Sequence, residues 1–279
     1  MQGKTVVITG ATSGIGEVAA DRLAHQGARI VFVARDHARG AAMLKHLNAI
    51  AGHSDHAAVY GDLSSLSEMR RVAGEIAAMC PKIDVLINNA GAMFARRQLS
   101  VDGLELTFAL NHLAYFVLTT LLQPKLSGAA RIVCTASAAH KGAKLDFDDL
   151  QSTKAYSGWG AYGRSKLMNI LFTRTLASRL NGSGVTANCL HPGFVNTRFG
   201  DNNTGVFGWG LGLAKNIALS PAQGAETLVF LATSAQVAAV SGKYFHKCRV
   251  ETPSREAQSD ADAQRLWQMS EQIAAPALS

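Results

Sequence analysis

Short, nearly unbroken apolar runs recur along this chain, separated by longer stretches with helical periodicity. The runs are "KTVVITG", "RIVFVA", "AAVYGDL", "DVLINNAG", "RIVCTAS" and "VTANCL". A strand that is apolar on both faces has to be covered on both faces. The stretches between them, about 15–26, 37–51, 64–79, 103–126 and 159–181, are long enough to be the covering helices. Strand–helix alternation of this kind implies parallel strands joined by right-handed crossovers. A last helix near 221–234 and a short strand "GKYFH" complete the set. The expected fold is α/β: one doubly wound domain over 1–279, a mostly parallel sheet of about seven strands with helices on both faces. Two segments stand apart from the alternation, a loop at about 194–219 and a C-terminal extension at about 247–279.

Composition narrows the function. With 48% hydrophobic and 17% charged residues in 279, the chain can bury a full core and is not disordered. The net charge of +7 is scattered, and its longest runs are the pairs Arg70-Arg71 and Arg96-Arg97. A nucleic-acid binder concentrates such charge in a stripe, so no nucleic-acid partner is expected. Cys80, Cys134, Cys189 and Cys248 form no C-x-x-C pair, and no histidine spacing suggests a metal site. Thiols inside apolar strands suit a reducing cytoplasm. Met1 is followed almost at once by a strand, so no signal peptide is visible, and no stretch reads as a transmembrane span.

The first run ends in "TGATSGIG", where Gly10, Gly14 and Gly16 open a helix and Thr12, Ser13 and Ile15 fill the loop. Glycine lets backbone approach a pyrophosphate, and a helix N-terminus attracts its charge. The spacing is G-x-x-x-G-x-G, and a plain glycine turn is the competing reading. A dinucleotide fold that selects NAD carries an acid at the end of the second strand. Here that place falls on Ala34, followed by Arg35, which suits a 2′-phosphate and hence NADP(H) unless Arg35 is only a surface cation. Asp36 reads as a helix cap. Asp62 and Leu63 end the third run, with a place near an adenine or in a turn. Asn89, Ala90 and Gly91 end the fourth, where small residues permit close approach of a cofactor.

"AYGRSKLMN" places Tyr162 and Lys166 four apart, on one face of an otherwise apolar helix. A free tyrosine, with a pKa of roughly 10, trades protons poorly near neutrality. An adjacent ammonium is expected to lower it, making the pair an acid toward a carbonyl or a base toward an alcohol. Ser137, just past the fifth run, could bond the substrate oxygen, and Asn111 could hold Lys166 through a water. The loop at 194–219 mixes Gly and Asn with Phe194, Phe199, Phe207 and Trp209. It reads as a lid over an apolar substrate, a packed loop, an oligomer contact or a membrane-surface contact.

Taken together, "TGATSGIG", "NNAG", Asn111, Ser137, "YGRSK" and "HPG" resemble the short-chain dehydrogenase/reductase family, in that order and over essentially the whole chain. "NHLAYFVLT", "SKLMNILF", "LHPGFVNT" and "SGKYFHKC" resemble its retinol-dehydrogenase-like branch, as does the long gap of 25 between Ser137 and Tyr162. The resemblance implies a Rossmann-like fold and a catalytic tetrad of Asn111, Ser137, Tyr162 and Lys166. It also implies cofactor contacts from Tyr162, Lys166, Pro192, Gly193, Val195 and Thr197. Tyr156 has Gly160 where a lysine would be needed and is rejected as the acid; His140 and His191 read as structural. The expected activity is NADP(H)-dependent interconversion of a lipophilic aldehyde or ketone and its alcohol. Alternatives are a polar or sugar-like carbonyl, or a non-catalytic redox sensor that binds NADP(H). Relatives are often dimers or tetramers, so a homo-oligomer is an option.

Overall fold

A computed structural model describes residues 1–50, 55–193 and 219–279. Its sheet has eight strands in the order β3-β2-β1-β4-β5-β6-β7-β8. They are β1 (Thr5–Thr9), β2 (Arg29–Ala34), β3 (Ala57–Tyr60), β4 (Ile83–Asn88), β5 (Leu126–Thr135), β6 (Thr186–Leu190), β7 (Tyr244–His246) and β8 (Arg249–Val250). Every neighbouring pair is parallel except β7–β8. The two-residue antiparallel edge is the strand that the apolar pattern did not show.

Side chains alternate between two cores, as a pleated strand requires. Val6, Ile8, Ile30, Phe32, Val85 and Ile87 point to one face, where helices α1 (Gly14–His25) and α2 (His37–Asn48) pack. Val7, Val31, Val33 and Leu86 point to the other. That second face carries α3 (Leu66–Met79), a one-turn α4 (Leu106–Phe108), α5 (Ala114–Leu122) and α6 (Gly158–Arg179). Helix α7 (Pro221–Thr233) returns to the first face. Its start is a reciprocal Ser220–Gln223 capping box with Pro221 in the first turn. The chain reverses the direction of winding between β1 and β4, where open α/β sheets bind ligands at the C-terminal strand ends.

Two elements differ from expectation. The stretch 103–126 is helical over Leu106–Lys125 but not regular: between α4 and α5 the backbone widens into a π-type turn over Ala109–Leu113. Leu106–Lys125 is 20 residues long, and among the described residues it is the stretch apolar enough by length and composition to pass as a span. It is 72% buried within the protein and serves as core. The second difference is that most of the C-terminal extension folds as α8 (Asp260–Leu278), capped by Ser259 and docked on α6. Its anchor is Trp267, stacked on Phe172 at 5.7 Å and edge-on to Phe116 at 4.9 Å.

Trp267→Ala is therefore expected to lower the unfolding free energy by about 3–5 kcal/mol, the usual cost of emptying a buried aromatic site. Urea denaturation followed by circular dichroism measures it. A loss under 1 kcal/mol would mean that α8 is not part of the cooperative core.

Candidate active site

The loop after β1 needs its glycines. Gly10 and Gly14 hold φ of 72° and 61°, a region that side chains rarely enter. A Cβ on Gly16 would collide with the Gly10 carbonyl oxygen and stand 2.5 Å from Asn89 Nδ2. The first turn of α1 thus lies against loop backbone. Ser13 sits at its cap position in extended geometry, and its hydroxyl makes no capping bond. First-turn N–H groups have no acceptor within a helix, and Ser13 does not supply one here. Thr12 and Ile15 flank this turn.

At the ends of β2 and β3, Ala34 is buried and Arg35 is exposed. Asp36 caps α2, accepting from Arg39 N at 2.9 Å, as the sequence suggested. The His37 and Tyr60 rings stack at 4.2 Å and 10°, a flat shelf beside Arg35 that sequence reasoning missed. Asp62 turns inward on its own loop: Oδ1 accepts from Ser64 N at 3.0 Å and Ser64 Oγ at 2.8 Å. Its carboxylate is thus engaged in a turn, and Leu63 beside it is buried.

At the end of β4, Asn89 spends its side chain on the sheet. Nδ2 donates to the Thr9 and Gly10 carbonyls at 3.2 and 3.3 Å, and Oδ1 accepts from Thr135 Oγ1 at 3.1 Å. The backbone N–H groups of Asn89 and Ala90 both donate to Thr9 Oγ1. At Gly91 the sheet edge meets the remaining candidates: a Cβ there would lie 3.1 Å from Asn111 Oδ1 and 3.5 Å from Lys166 Nζ. Asn111 lies in the π-type turn, wholly buried. Oδ1 accepts from Ala92 N at 2.8 Å, while Nδ2 donates to Ala92 O at 2.9 Å and Ser165 Oγ at 3.0 Å. Its amide pins the β4 loop to α6.

Ser137 and Tyr162 meet across the gap between β5 and α6, near enough for the serine hydroxyl to act on the phenol, while Ser137 Oγ accepts from Ala139 N at 3.2 Å. Lys166 is one turn deeper, its Nζ 5.5 Å from the Tyr162 ring centre. Nζ donates to the Thr135 carbonyl at 3.0 Å. The ring of Tyr115 lies 5.8 Å from the same nitrogen, and its buried hydroxyl has no partner among the described residues. Thr9, Thr135, Ser165 and Tyr115 were missed from sequence. For the two threonines the available signal was a hydroxyl at the last position of an apolar strand.

The electrostatics correct one expectation. Burial pushes the Tyr162 phenol up to about 12, although the Ser137 hydroxyl pulls the other way. Burial pulls the Lys166 ammonium down to about 7. In this state desolvation is the largest cause of both shifts.

The other candidates are structural. Tyr156 donates to the Phe94 carbonyl at 2.9 Å. His140 is buried, with Nδ1 at 2.6 Å from the Ser137 carbonyl and Nε2 accepting from Ser254 N at 3.1 Å. His191, His246 and Glu251 bring ligand-type atoms within 4.8 Å of one another. Gly193 N donates to His191 Nδ1 at 3.0 Å, so the imidazole proton is on Nε2. A neutral imidazole bound to an ion through Nε2 would need that proton on Nδ1 instead. His246 Nδ1 and Lys141 Nζ already hold the two oxygens of Glu251. Pro192 and Gly193, the latter at φ 85°, follow β6 and bring the chain toward this edge. Val195, Thr197 and nearly all of the 194–219 loop lie outside the described residues.

Comparison with known proteins agrees with this geometry. The family model described as short chain dehydrogenase matches residues 4–205. Human retinol dehydrogenase 14 is 38% identical over 295 residues, covering 97% of this chain and 86% of that protein. A solved structure from Mycobacterium Paratuberculosis is 33% identical with a TM-score of 0.80, covering 98% of this chain and 94% of that one. A blue fluorescent protein from a metagenomic library, solved with NADPH, is 26% identical with a TM-score of 0.70; coverage is 88% and 96%.

The buried lysine has a signature in stability. Between pH 7 and 10.5 the unfolded chain holds a proton on Lys166 that the folded chain lacks, so stability rises with pH across that window. The penalty is full below pH 7 and gone above 10.5. Wild type is expected to gain stability relative to Lys166→Met between pH 7 and 10, measured by urea denaturation at fixed ionic strength. A pH-independent difference would show that the amine is not desolvated.

Proposed function

The chain belongs to the short-chain dehydrogenase family, in its retinol-dehydrogenase-like branch, and on that premise we propose that it interconverts a lipophilic aldehyde or ketone and its alcohol with NADP(H). The observation that carries this reading is the meeting of Ser137, Tyr162 and Lys166 at the strand ends beside the Gly10–Gly16 loop. The cramped backbone at Gly10 and Gly16, with the uncapped start of α1, suits a diphosphate. Arg35, exposed next to buried Ala34, suits a 2′-phosphate, and the NADPH complex of a relative supports the same choice. Asp62, Leu63, Asn89, Ala90 and Gly91 are assigned to the cofactor's edge between these points, and Pro192, Gly193, Val195 and Thr197 to the nicotinamide end.

Nicotinamide bound there supplies or accepts the hydride. Tyr162 gives its phenolic proton to the carbonyl oxygen, or takes one from the alcohol, while Ser137 holds that oxygen. Lys166, held at the Thr135 carbonyl, stabilises the phenolate left behind. Asn111 keeps the β4 loop and α6 at the spacing that the exchange needs. Relatives named for retinol support a lipophilic substrate, and four unpaired cysteines suit a reducing cytoplasm.

Tyr162→Phe keeps the ring and removes the proton. Turnover, followed as NADPH oxidation with an aldehyde panel, is expected to fall roughly 10²–10⁴-fold with NADPH affinity retained. Near-normal turnover would overturn the assignment. Arg35→Ala is expected to cut the preference for NADPH over NADH by about one to two orders of magnitude, the value of one charge-assisted bond. An unchanged ratio would remove Arg35 from the cofactor site.

A further inference from the structure

The stripe of α6 that carries Tyr162 and Lys166 does not stop at the tyrosine. Trp159, Tyr162 and Lys166 are spaced three and four apart and share one helical face. Exposure climbs along that stripe toward the start of the helix. Lys166 is 3% exposed, Tyr162 is half-buried, and Trp159 is 52% exposed. The indole and phenol rings are 6.1 Å apart at 41°.

A lone exposed aromatic is ordinary on a protein surface, so the informative feature is where this one sits. Leu99, Val101 and Val250 are also exposed among the described residues, but Trp159 is the one paired with the Tyr162 ring. Its position is fixed by the start of the helix. Ser157 caps α6, accepting from Gly160 N. Gly158 packs so closely that a Cβ there would collide with the Phe94 carbonyl oxygen. The indole is therefore held on a rigid first turn.

We propose that Trp159 is a specificity-determining residue: its indole forms the outer wall of the substrate site and selects carbonyls that carry a flat aromatic or conjugated group. The inference rests on the carbonyl–alcohol reading above. A flat π-system beside a reacting oxygen held by Tyr162 would lie within reach of the indole, where offset or tilted ring pairs at 4.5–7 Å are favourable. A saturated ring of the same size gains the burial but not the ring pairing.

The test compares benzaldehyde with cyclohexanecarbaldehyde as NADPH-dependent substrates of wild type, Trp159→Ala and Trp159→Phe. Wild type is expected to favour the aryl aldehyde. In Trp159→Ala the aryl-to-cyclohexyl ratio of kcat/KM should fall roughly two- to tenfold, mainly through KM, and Trp159→Phe should keep most of it. An unchanged ratio in Trp159→Ala overturns the inference while leaving the oxidoreductase reading intact. If neither aldehyde is turned over, the oxidoreductase reading loses its support, and binding decides the wall. Titration with benzyl alcohol should then quench indole emission in wild type but not in Trp159→Phe; equal quenching in the two overturns the proposal.

Discussion

The carboxamide of Asn89 ties together the strand ends on which the site is built. It bonds the Thr9 and Gly10 carbonyls at the end of β1 and the Thr135 hydroxyl at the end of β5. The Thr135 carbonyl in turn accepts from Lys166 Nζ and from Asn169 Nδ2 on α6. One partly buried network thus links the glycine loop, the ends of β4 and β5 and the lysine. Each bond has a modest net value, about 1 kcal/mol. Their joint effect is geometric, because leaving any member unpaired in this dry edge costs more than the bond itself contributes.

The same dryness governs the acid and the lysine. A neighbouring ammonium should favour phenolate, and that rule alone would place Tyr162 below its ordinary value. Burial acts on both groups and in opposite senses: each is pushed toward its neutral form. The site described is thus a neutral phenol beside an amine that is easily charged. Under the proposed function, negative charge arriving at the strand ends favours the ammonium, and the ammonium then favours phenolate. Readiness for proton exchange is a property of the loaded site.

Much of this was legible in sequence because it is local. The strands show as β-rich apolar runs, the loop as glycines after a strand, and the acid–lysine pair as an i, i+4 spacing. The rest depends on contacts between distant segments. The π-type turn at Asn111 interrupts a stretch whose apolar content gives no hint of a break; it is held by Ala92 and Ser165, 19 and 54 residues away. Helix α8 buries Ala263, Leu266, Trp267, Ser270 and Ala274, and its docking through Trp267 on Phe116 and Phe172 joins segments far apart in the chain. The His37–Tyr60 shelf joins two elements through ring stacking that no spacing encodes. Asn89 read as a cofactor neighbour from its place after β4; that its side chain holds the strand ends depends on Thr9, Gly10 and Thr135, which local spacing does not reveal.

The central claim is that hydride passes between NADP(H) and a carbonyl carbon at this edge while Tyr162 handles the proton. Supplying NADPH dideuterated at C4 with a lipophilic aldehyde, and weighing the alcohol by mass spectrometry, tests it directly. One deuterium per alcohol from wild type, with formation of labelled alcohol sharply slowed in Tyr162→Phe, is the result expected. Alcohol without deuterium, or no alcohol from any aldehyde tried, would contradict it.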